Sequence, residues 1–250
     1  MTTGILIYCF DTEKTKYHKL LERCVEQIKE HLGLEVTVVT NIETFRRLKP
    51  LGMINYKLVD ESKGNTRVYR GKNIPWHNLE RTMAYEHSPY DTTILMDCDY
   101  FVFSGSLLEL SKTEFDVMLH DRVHDLTGED MIEGKHESIL PLVWATVVLF
   151  RKNENTRMVF DMIKHVQKYY TYYRNLYRIR YINYRNDYAF SIALHQMNIG
   201  NFIPSPMPML ADRVDVIDND HRGIAFRYND YVDFIEGQDV HIMEKGWCDV

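Results

Sequence analysis

Thr92-Thr93-Ile94-Leu95-Met96-Asp97-Cys98-Asp99-Tyr100 is an apolar run that ends in two carboxylates two residues apart. A short β-branched and aliphatic run of this kind reads as a buried strand. In an extended chain i and i+2 point to the same face, so Asp97 and Asp99 can reach one hard divalent cation together. Two acids beside buried apolar side chains are costly to ionise unless a cation neutralises them. The pair also falls at the carboxyl end of its strand, where ligands bind in open α/β sheets. The competing reading is a solvated turn after a strand.

On the N-terminal side, Gly4 to Phe10 is apolar and rich in Ile, Leu and Tyr, and the period then changes. Tyr17, Leu20, Leu21, Cys24, Val25, Ile28 and Leu32 follow i, i+3, i+4 spacing, with Thr15 as the expected N-cap and Gly33 as the stop. Val36 to Val39 reads as a second buried strand and closes a βαβ unit. The fold class is therefore α/β, with a Rossmann-like, mainly parallel sheet flanked by helices. Further on, Pro75 is expected to open a helix through Leu79, Met83 and Ala84 that ends at Ser88-Pro89. Phe115 to Leu119 and Val143 to Phe150 read as strands. The polar stretch His120 to Ser138 between them is long enough for a mobile active-site loop. Asn155 is the expected cap of a helix with Met158, Met162, Val166, Tyr169 and Tyr173 on one stripe. A second helix is expected from Asp187 to Met197, ending at Gly200. Pro204, Pro206 and Pro208 predict an extended, irregular stretch from Ile203 to Leu210.

With 250 residues, 45% hydrophobic and 26% charged, the chain has ordinary globular composition, and disorder is excluded for most of it. A net charge of −6 argues against a protein that coats nucleic acid nonspecifically. The longest apolar run, 139–150, contains Pro141 and falls short of the roughly twenty residues of a membrane helix. No basic flank precedes the first apolar run, so no signal peptide is expected. Cys9, Cys24, Cys98 and Cys248 have no CxxC spacing, which fits a reducing, cytoplasmic setting.

The stretch from Arg81 through Tyr90 to Asp97-Cys98-Asp99 places an Arg on a helix, then a Ser-Pro-Tyr turn, then an apolar strand ending in Asp-x-Asp. It resembles the metal motif of nucleotide-sugar glycosyltransferases of the GT-A fold. The likeness is to the retaining family that includes glycogenin and the bacterial lipopolysaccharide galactosyl- and glucosyltransferases. The chain is also similar to glycosyltransferases of tailed bacteriophages, for which the host cytoplasm would be the setting. The resemblance implies a single GT-A domain over 1–250, with a nucleotide-sugar half over 1–120 and an acceptor half over 121–250. It implies a divalent cation, Mn²⁺ or Mg²⁺, on Asp97 and Asp99, a uridine-linked donor, and retention at the anomeric carbon. Two other Asp-x-Asp chemistries fit less well. Haloacid dehalogenase-type phosphatases carry the motif on the first strand, with Thr or Val where this chain has Phe101. Nucleotidyltransferases of related fold need a Gly-rich loop after the first strand, and Phe10-Asp11-Thr12-Glu13-Lys14 has no glycine.

In that family a C-terminal His, followed by Gly, Lys, Pro and Trp, supplies a further ligand. Val240-His241-Ile242-Met243-Glu244-Lys245-Gly246-Trp247 is a shortened relative, with Gly246 where Pro is usual. The resemblance makes His241 the third ligand, and an imidazole beside two carboxylates suits Mn²⁺ better than Mg²⁺. It puts Lys245 and Arg81 on the donor diphosphate, Trp247 on the donor side, and Phe10 in the base pocket. The other reading of His241 is a surface residue. Trp144 stands where the family has an Asn that contacts sugar or acceptor, and Thr146 where it has Gly. Arg185-Asn186-Asp187-Tyr188 stands at the family's Asp-Gln pair, which makes Asn186 and Asp187 the candidate catalytic residues. Asp187 would contact a sugar hydroxyl or a reaction-centre group. The other reading is an acid in a first helical turn that serves the dipole. Asp121 is a candidate for gripping the donor sugar, or a plain loop acid.

From Lys168 to Arg185 the chain holds Tyr169, Tyr170, Tyr172, Tyr173, Tyr177, Tyr181 and Tyr184, with Arg174, Arg178 and Arg180 and no acid. Rings for stacking and guanidinium groups for phosphate suit an oligosaccharide or nucleic-acid acceptor. In a phage enzyme the acceptor would be hydroxymethylated DNA bases; otherwise it would be a glycan. The alternative is that Tyr169, Tyr173 and Tyr177 face the core and the arginines are a solvated face. The function expected is metal-dependent sugar transfer from a nucleotide diphosphate sugar to a hydroxyl. The alternatives are a noncatalytic nucleotide-sugar binding protein or a sugar-phosphate nucleotidyltransferase.

Overall fold

The computed structural model describes residues 1–52, 54–60, 66–69, 72–75, 77–127, 140–211 and 214–249. The expected βαβ unit opens it. Strand β1 (Thr3–Tyr8) leads to helix α1 (Tyr17–His31), and β2 (Glu35–Thr40) returns parallel to β1 with Ile5 opposite Val36. The α1 stripe points inward, with Leu20, Leu21, Cys24, Val25 and Ile28 fully buried. Gly33 ends the helix at φ 61°, and its N–H meets the Ile28 carbonyl at 3.0 Å, a closure that favours a residue without Cβ. The helix start differs from expectation. Thr15 is no cap; its N–H donates to Thr12 Oγ1 at 3.0 Å. Instead Asp11 Oδ1 accepts the His18 N–H at 2.9 Å, so a carboxylate further upstream satisfies the helix terminus.

Helix α2 (Ile42–Phe45), capped by Asn41, leads to β3 (Ile54–Leu58), which is parallel to β2. An antiparallel hairpin follows, β4 (Thr66–Tyr69) and β5 (Lys72–Pro75). Pro75 thus closes a strand rather than opening a helix, because its fixed φ suits either position and only pairing with Thr66 decides. The helical segment is a 3₁₀ turn at His77–Met83 that passes into α3 (Ala84–His87). The wholly buried β6 (Thr92–Met96) lies parallel to β1 on its other side, with Ile7 opposite Met96.

The chain continues through β7 (Tyr100–Phe101), α4 (Ser106–Lys112), β8 (Val117–His120), β9 (Val123–Asp125) and β10 (Trp144–Arg151). Of the stretch expected to be a mobile loop, His120 therefore closes one strand and 123–125 form another, while 128–138 lie outside the described residues. Next come α5 (Glu154–Lys168), α6 (Tyr170–Leu176) and α7 (Asn186–Met197). Asn153, not Asn155, caps α5: its side chain accepts the Thr156 N–H at 2.9 Å, while Asn155 donates to Asp116 at 2.8 Å. The buried stripe is accordingly turned by one residue to Val159, Ile163 and Val166, and Met158 is exposed. Helix α7 is enclosed from Tyr188 to Leu194 and stops at Asn198, which is left-handed at φ 52°.

Seven strands form the main sheet in the order β11-β8-β10-β6-β1-β2-β3, where β11 is Asn201–Phe202. Only β10 runs against the others. The carboxyl ends of β1, β2, β6 and β8 therefore share one edge with the start of β10. Beyond this sheet, β12 (Met207–Leu210), a three-stranded antiparallel sheet of β13 (Asp215–Asn219), β14 (Gly223–Tyr228) and β15 (Tyr231–Glu236), and finally β16 (Val240–Ile242) complete the chain. β12 contradicts the irregular stretch expected at 203–210. It pairs with β9 from Met207, but with β16 only from Met209, so Pro208 turns its missing N–H to the side where pairing has not begun.

At Gly4 a Cβ would come within 2.3 Å of the Tyr90 ring, and the Tyr90 hydroxyl is fixed to Thr37 Oγ1 at 2.8 Å. Gly4→Ala should therefore cost about 1–3 kcal/mol through overpacking. The check is a urea melt, in which the midpoint falls with the slope unchanged.

Candidate metal centre and donor site

The turn that carries Asp97 and Asp99 is fastened to β10, mid-chain, and to β16 near the C-terminus. The Asp97 N–H donates to the Thr146 carbonyl at 3.0 Å, and the Tyr100 N–H closes the turn on the Asp97 carbonyl at 3.2 Å. The Ile242 N–H reaches the Asp99 carbonyl at 3.0 Å. Strand β16 lies between β7 and β12, which sets His241 opposite Tyr100. As a result Asp97, Asp99 and His241 each offer one ligand atom, all within 4.8 Å of one another.

These residues fit a divalent cation. Asp99 Oδ1 and His241 Nδ1 are buried without a hydrogen-bond partner, and His241 Nε2 lies 3.4 Å from Asp99 Oδ1. Buried polar atoms are rarely left so, and a cation between two carboxylates and an imidazole would satisfy them.

The electrostatics point the same way. Lys245 Nζ pairs with Asp99 Oδ2, and Arg81 Nη1 pairs with Asp97 Oδ1. Burial opposes ionisation of Asp99, but Lys245 and His241 outweigh it and hold the carboxyl well below its usual range. At Asp97 burial dominates, opposed by Arg81 and reinforced by the charge of Asp99, and the carboxyl is pushed up to about 6. Lys245 is also desolvated, yet Asp99 keeps it protonated and raises it above the ordinary lysine value. The phenol of Tyr17 is raised by burial, with Lys245 drawing it back and Asp99 adding to it. Tyr17 packs against the core, as its helical spacing predicts.

Arg81 is 3% exposed, and its other arm, Nη2, donates to the Ala145 carbonyl at 2.5 Å. Its guanidinium thus joins Asp97 to β10. Lys245 lies beside Asp99.

Ala145 joins the two halves of the edge. The β8–β10 ladder is irregular between Trp144 and Val148, which leaves this backbone to side chains. The Ala145 N–H donates to Asp187 Oδ1 at 2.9 Å, and Arg185 holds Asp187 Oδ2 through Nη2 at 2.8 Å. Asp187 is thus more than a dipole partner. Asn186 is buried and accepts the Tyr184 hydroxyl at 3.2 Å.

Phe10, two residues beyond β1, is 5% exposed and packs with Leu6 and Tyr8. Its polar neighbour Asp11 instead gathers His18 Nδ1 at 2.7 Å and Arg47 Nη1 at 2.9 Å. Asp121 is half-buried beside Arg122 at the end of β8, on the same edge as Asp97. Trp247 packs against Phe101 with ring centroids 5.5 Å apart, and its Nε1 is buried without a partner. Trp144 is half-buried at the start of β10, opposite His120. Arg174 is half-buried, while Arg178 and Arg180 are exposed. The inward tyrosines of that segment are Tyr170, Tyr173 and Tyr177; Tyr169 faces outward.

No family model matches the chain, and no curated protein does. Solved structures do. The galactosyltransferase LgtC in complex with donor and acceptor sugar analogues superposes with a TM-score of 0.52 at 15% identity, over 80% of this chain and 72% of that one. The glycosyltransferase GlyE of Streptococcus pneumoniae TIGR4 gives 0.53 at 11% identity, over 81% of this chain and 46% of that one. Apo mouse xyloside xylosyltransferase 1 gives 0.50 at 10% identity, over 81% of this chain and 85% of that one. The likeness is one of fold, and the chain has the GT-A fold of these glycosyltransferases.

A carboxylate must lose its proton to bind metal. Mn²⁺ should therefore raise the melting temperature at pH 7.5, and the increment should shrink as pH falls through about 6, where Asp97 is protonated. Below that point one displaced proton weakens binding by roughly tenfold per pH unit. Scanning fluorimetry from neutral to acidic pH is the check, and an increment that persists unchanged in acid would separate Asp97 from the metal.

Proposed function

We propose that the chain is a metal-dependent glycosyltransferase that moves a sugar from a nucleotide diphosphate sugar, uridine-linked, to a hydroxyl acceptor. The observation that carries this reading is the Asp97, Asp99 and His241 group at the carboxyl edge of a GT-A sheet. Asp97, Asp99 and His241 would hold the cation, Mn²⁺ by its imidazole ligand, and the cation would stabilise charge on the departing diphosphate. Lys245, kept cationic beside Asp99, adds positive charge to that diphosphate. Arg81 acts one step back, fixing the orientation of Asp97 and of the β10 backbone. Phe10, just after β1, would line the base pocket, and Trp247 would close the donor side. Asp121 and Asp187, at the ends of β8 and of α7, flank the transferred sugar, with Asn186 behind Asp187. Retention at the anomeric carbon follows from the family resemblance.

Trp144 offers a ring face at the acceptor end, and the sugar acceptor analogue bound to LgtC supports a glycan. A hydroxymethylated DNA base, the phage reading, rests on Arg174, Arg178 and Arg180, and the composition of that surface favours another occupant, argued below. A cytoplasmic setting is supported by the free thiols of Cys9, Cys24 and Cys98. One observation favours the noncatalytic binding protein as a second reading: both oxygens of Asp187 are already engaged, by Ala145 and by Arg185.

Donor hydrolysis separates the two readings. An enzyme should release sugar from a uridine-linked donor only when Mn²⁺ is present, and Asp99→Ala should abolish both this release and Mn²⁺-dependent donor binding in calorimetry. Binding without hydrolysis would leave the second reading, and binding unchanged in Asp99→Ala would remove the metal from both.

A further inference from the structure

Helix α6 presents two stripes of large side chains about a quarter-turn apart. Tyr170, Tyr173 and Tyr177 are buried, whereas their preceding neighbours Tyr169, Tyr172 and Leu176 stand 46%, 63% and 52% exposed at the same spacing. Beyond the helix, Tyr181 and Ile182 are 52% and 76% exposed. Lys168, Arg174, Arg178 and Arg180 are interleaved with them, and no acid occurs from 168 to 185 in a chain of net charge −6. The segment is thus basic, aromatic and aliphatic at once.

Arg178 adds a second, independent observation. It lies in the left-handed region at φ 53°, where it closes α6: the Ile179 N–H returns to the Arg174 carbonyl at 2.9 Å and the Arg178 N–H to the Asn175 carbonyl at 3.3 Å. This closure favours glycine. A long cationic side chain at a position where glycine would fold better points to a use outside folding. Arg174 contributes a buried Nε without a hydrogen-bond partner on the same helix.

We propose that this surface docks on an anionic lipid bilayer. Arginine and lysine meet the headgroup phosphates, tyrosine rings sit at headgroup level, and aliphatic side chains gain by entering the acyl boundary. Nucleic acid would use the tyrosines and arginines but would leave Leu176 and Ile182 in water. Attachment is peripheral, because among the described residues no helix is long and apolar enough to cross a membrane. The segment runs directly into α7, where Tyr184 bonds Asn186, so the docked surface adjoins the Asp187 end of the candidate site. The docking does not depend on the transfer reading.

The test is co-sedimentation of the full chain with phosphatidylcholine vesicles, with and without phosphatidylglycerol. Binding should require phosphatidylglycerol and weaken as salt is raised. Leu176→Ser with Ile182→Ser should weaken it roughly tenfold at unchanged net charge, as loss of buried apolar area demands. Arg178→Gly should raise the melting temperature while it weakens vesicle binding, which distinguishes docking from folding. Equal sedimentation with neutral vesicles, variants that bind as the parent does, or arginine-dependent capture of a DNA oligonucleotide without vesicle binding would each overturn the proposal.

Discussion

Asp97 and Asp99 repel one another, and the surroundings of that pair account for much of the architecture. Two carboxylates at the end of a buried strand need positive charge close by, and no residue of β6 itself can supply it. Arg81 supplies it from below, on a turn that precedes the strand, and Lys245 from the far end of the sequence. Bringing Lys245 to Asp99 requires β16 to return and pair with β7, and β16 in turn seats β12 and β9 beside it. The four-stranded sheet is therefore the means by which C-terminal chemistry reaches a motif made in the first half of the chain.

Features with a local cause were legible in the sequence. The three parallel strands and the α1 stripe follow from continuous apolar runs and helical period, the Asp97 and Asp99 pair from its spacing at a strand end, and His241 from the family resemblance. Features with a remote cause were not. Asp11 caps α1 from outside the helix, so no cap signature stands at Thr15. Asn153 and Asn155 are equally good caps by composition; Asp116 holds the side-chain amides of both, and Asn153 turns its Oδ1 to the Thr156 N–H. Pro75 and Pro208 are tolerated because of where partner strands begin, information held elsewhere in the chain. The β13–β15 sheet carried no strong alternation, since most of β13 and β15 is exposed.

Low identity to LgtC alongside a shared fold is consistent with this division of labour. The sheet demands only short continuous apolar runs, because its strands are buried on both faces, and many sequences meet that demand. The polar edge is more restrictive, and it is there that this chain has its own solutions: Trp144 and Thr146 at the start of β10, and Arg185 bound to Asp187.

The irregular start of β10 has one more consequence. Asp187 and Arg81 both attach to the backbone of Ala145, one to its N–H and the other to its carbonyl, so helix α7 and the Asp97 carboxylate are wired through main-chain atoms of a single residue. Side-chain exchange at this position does not cut that wire, and any small residue preserves it. Proline alone would remove the donor, and an ester in place of the amide would do so without altering shape. Communication between the two ends of the edge is therefore invisible to alanine scanning at residue 145 and open to backbone chemistry.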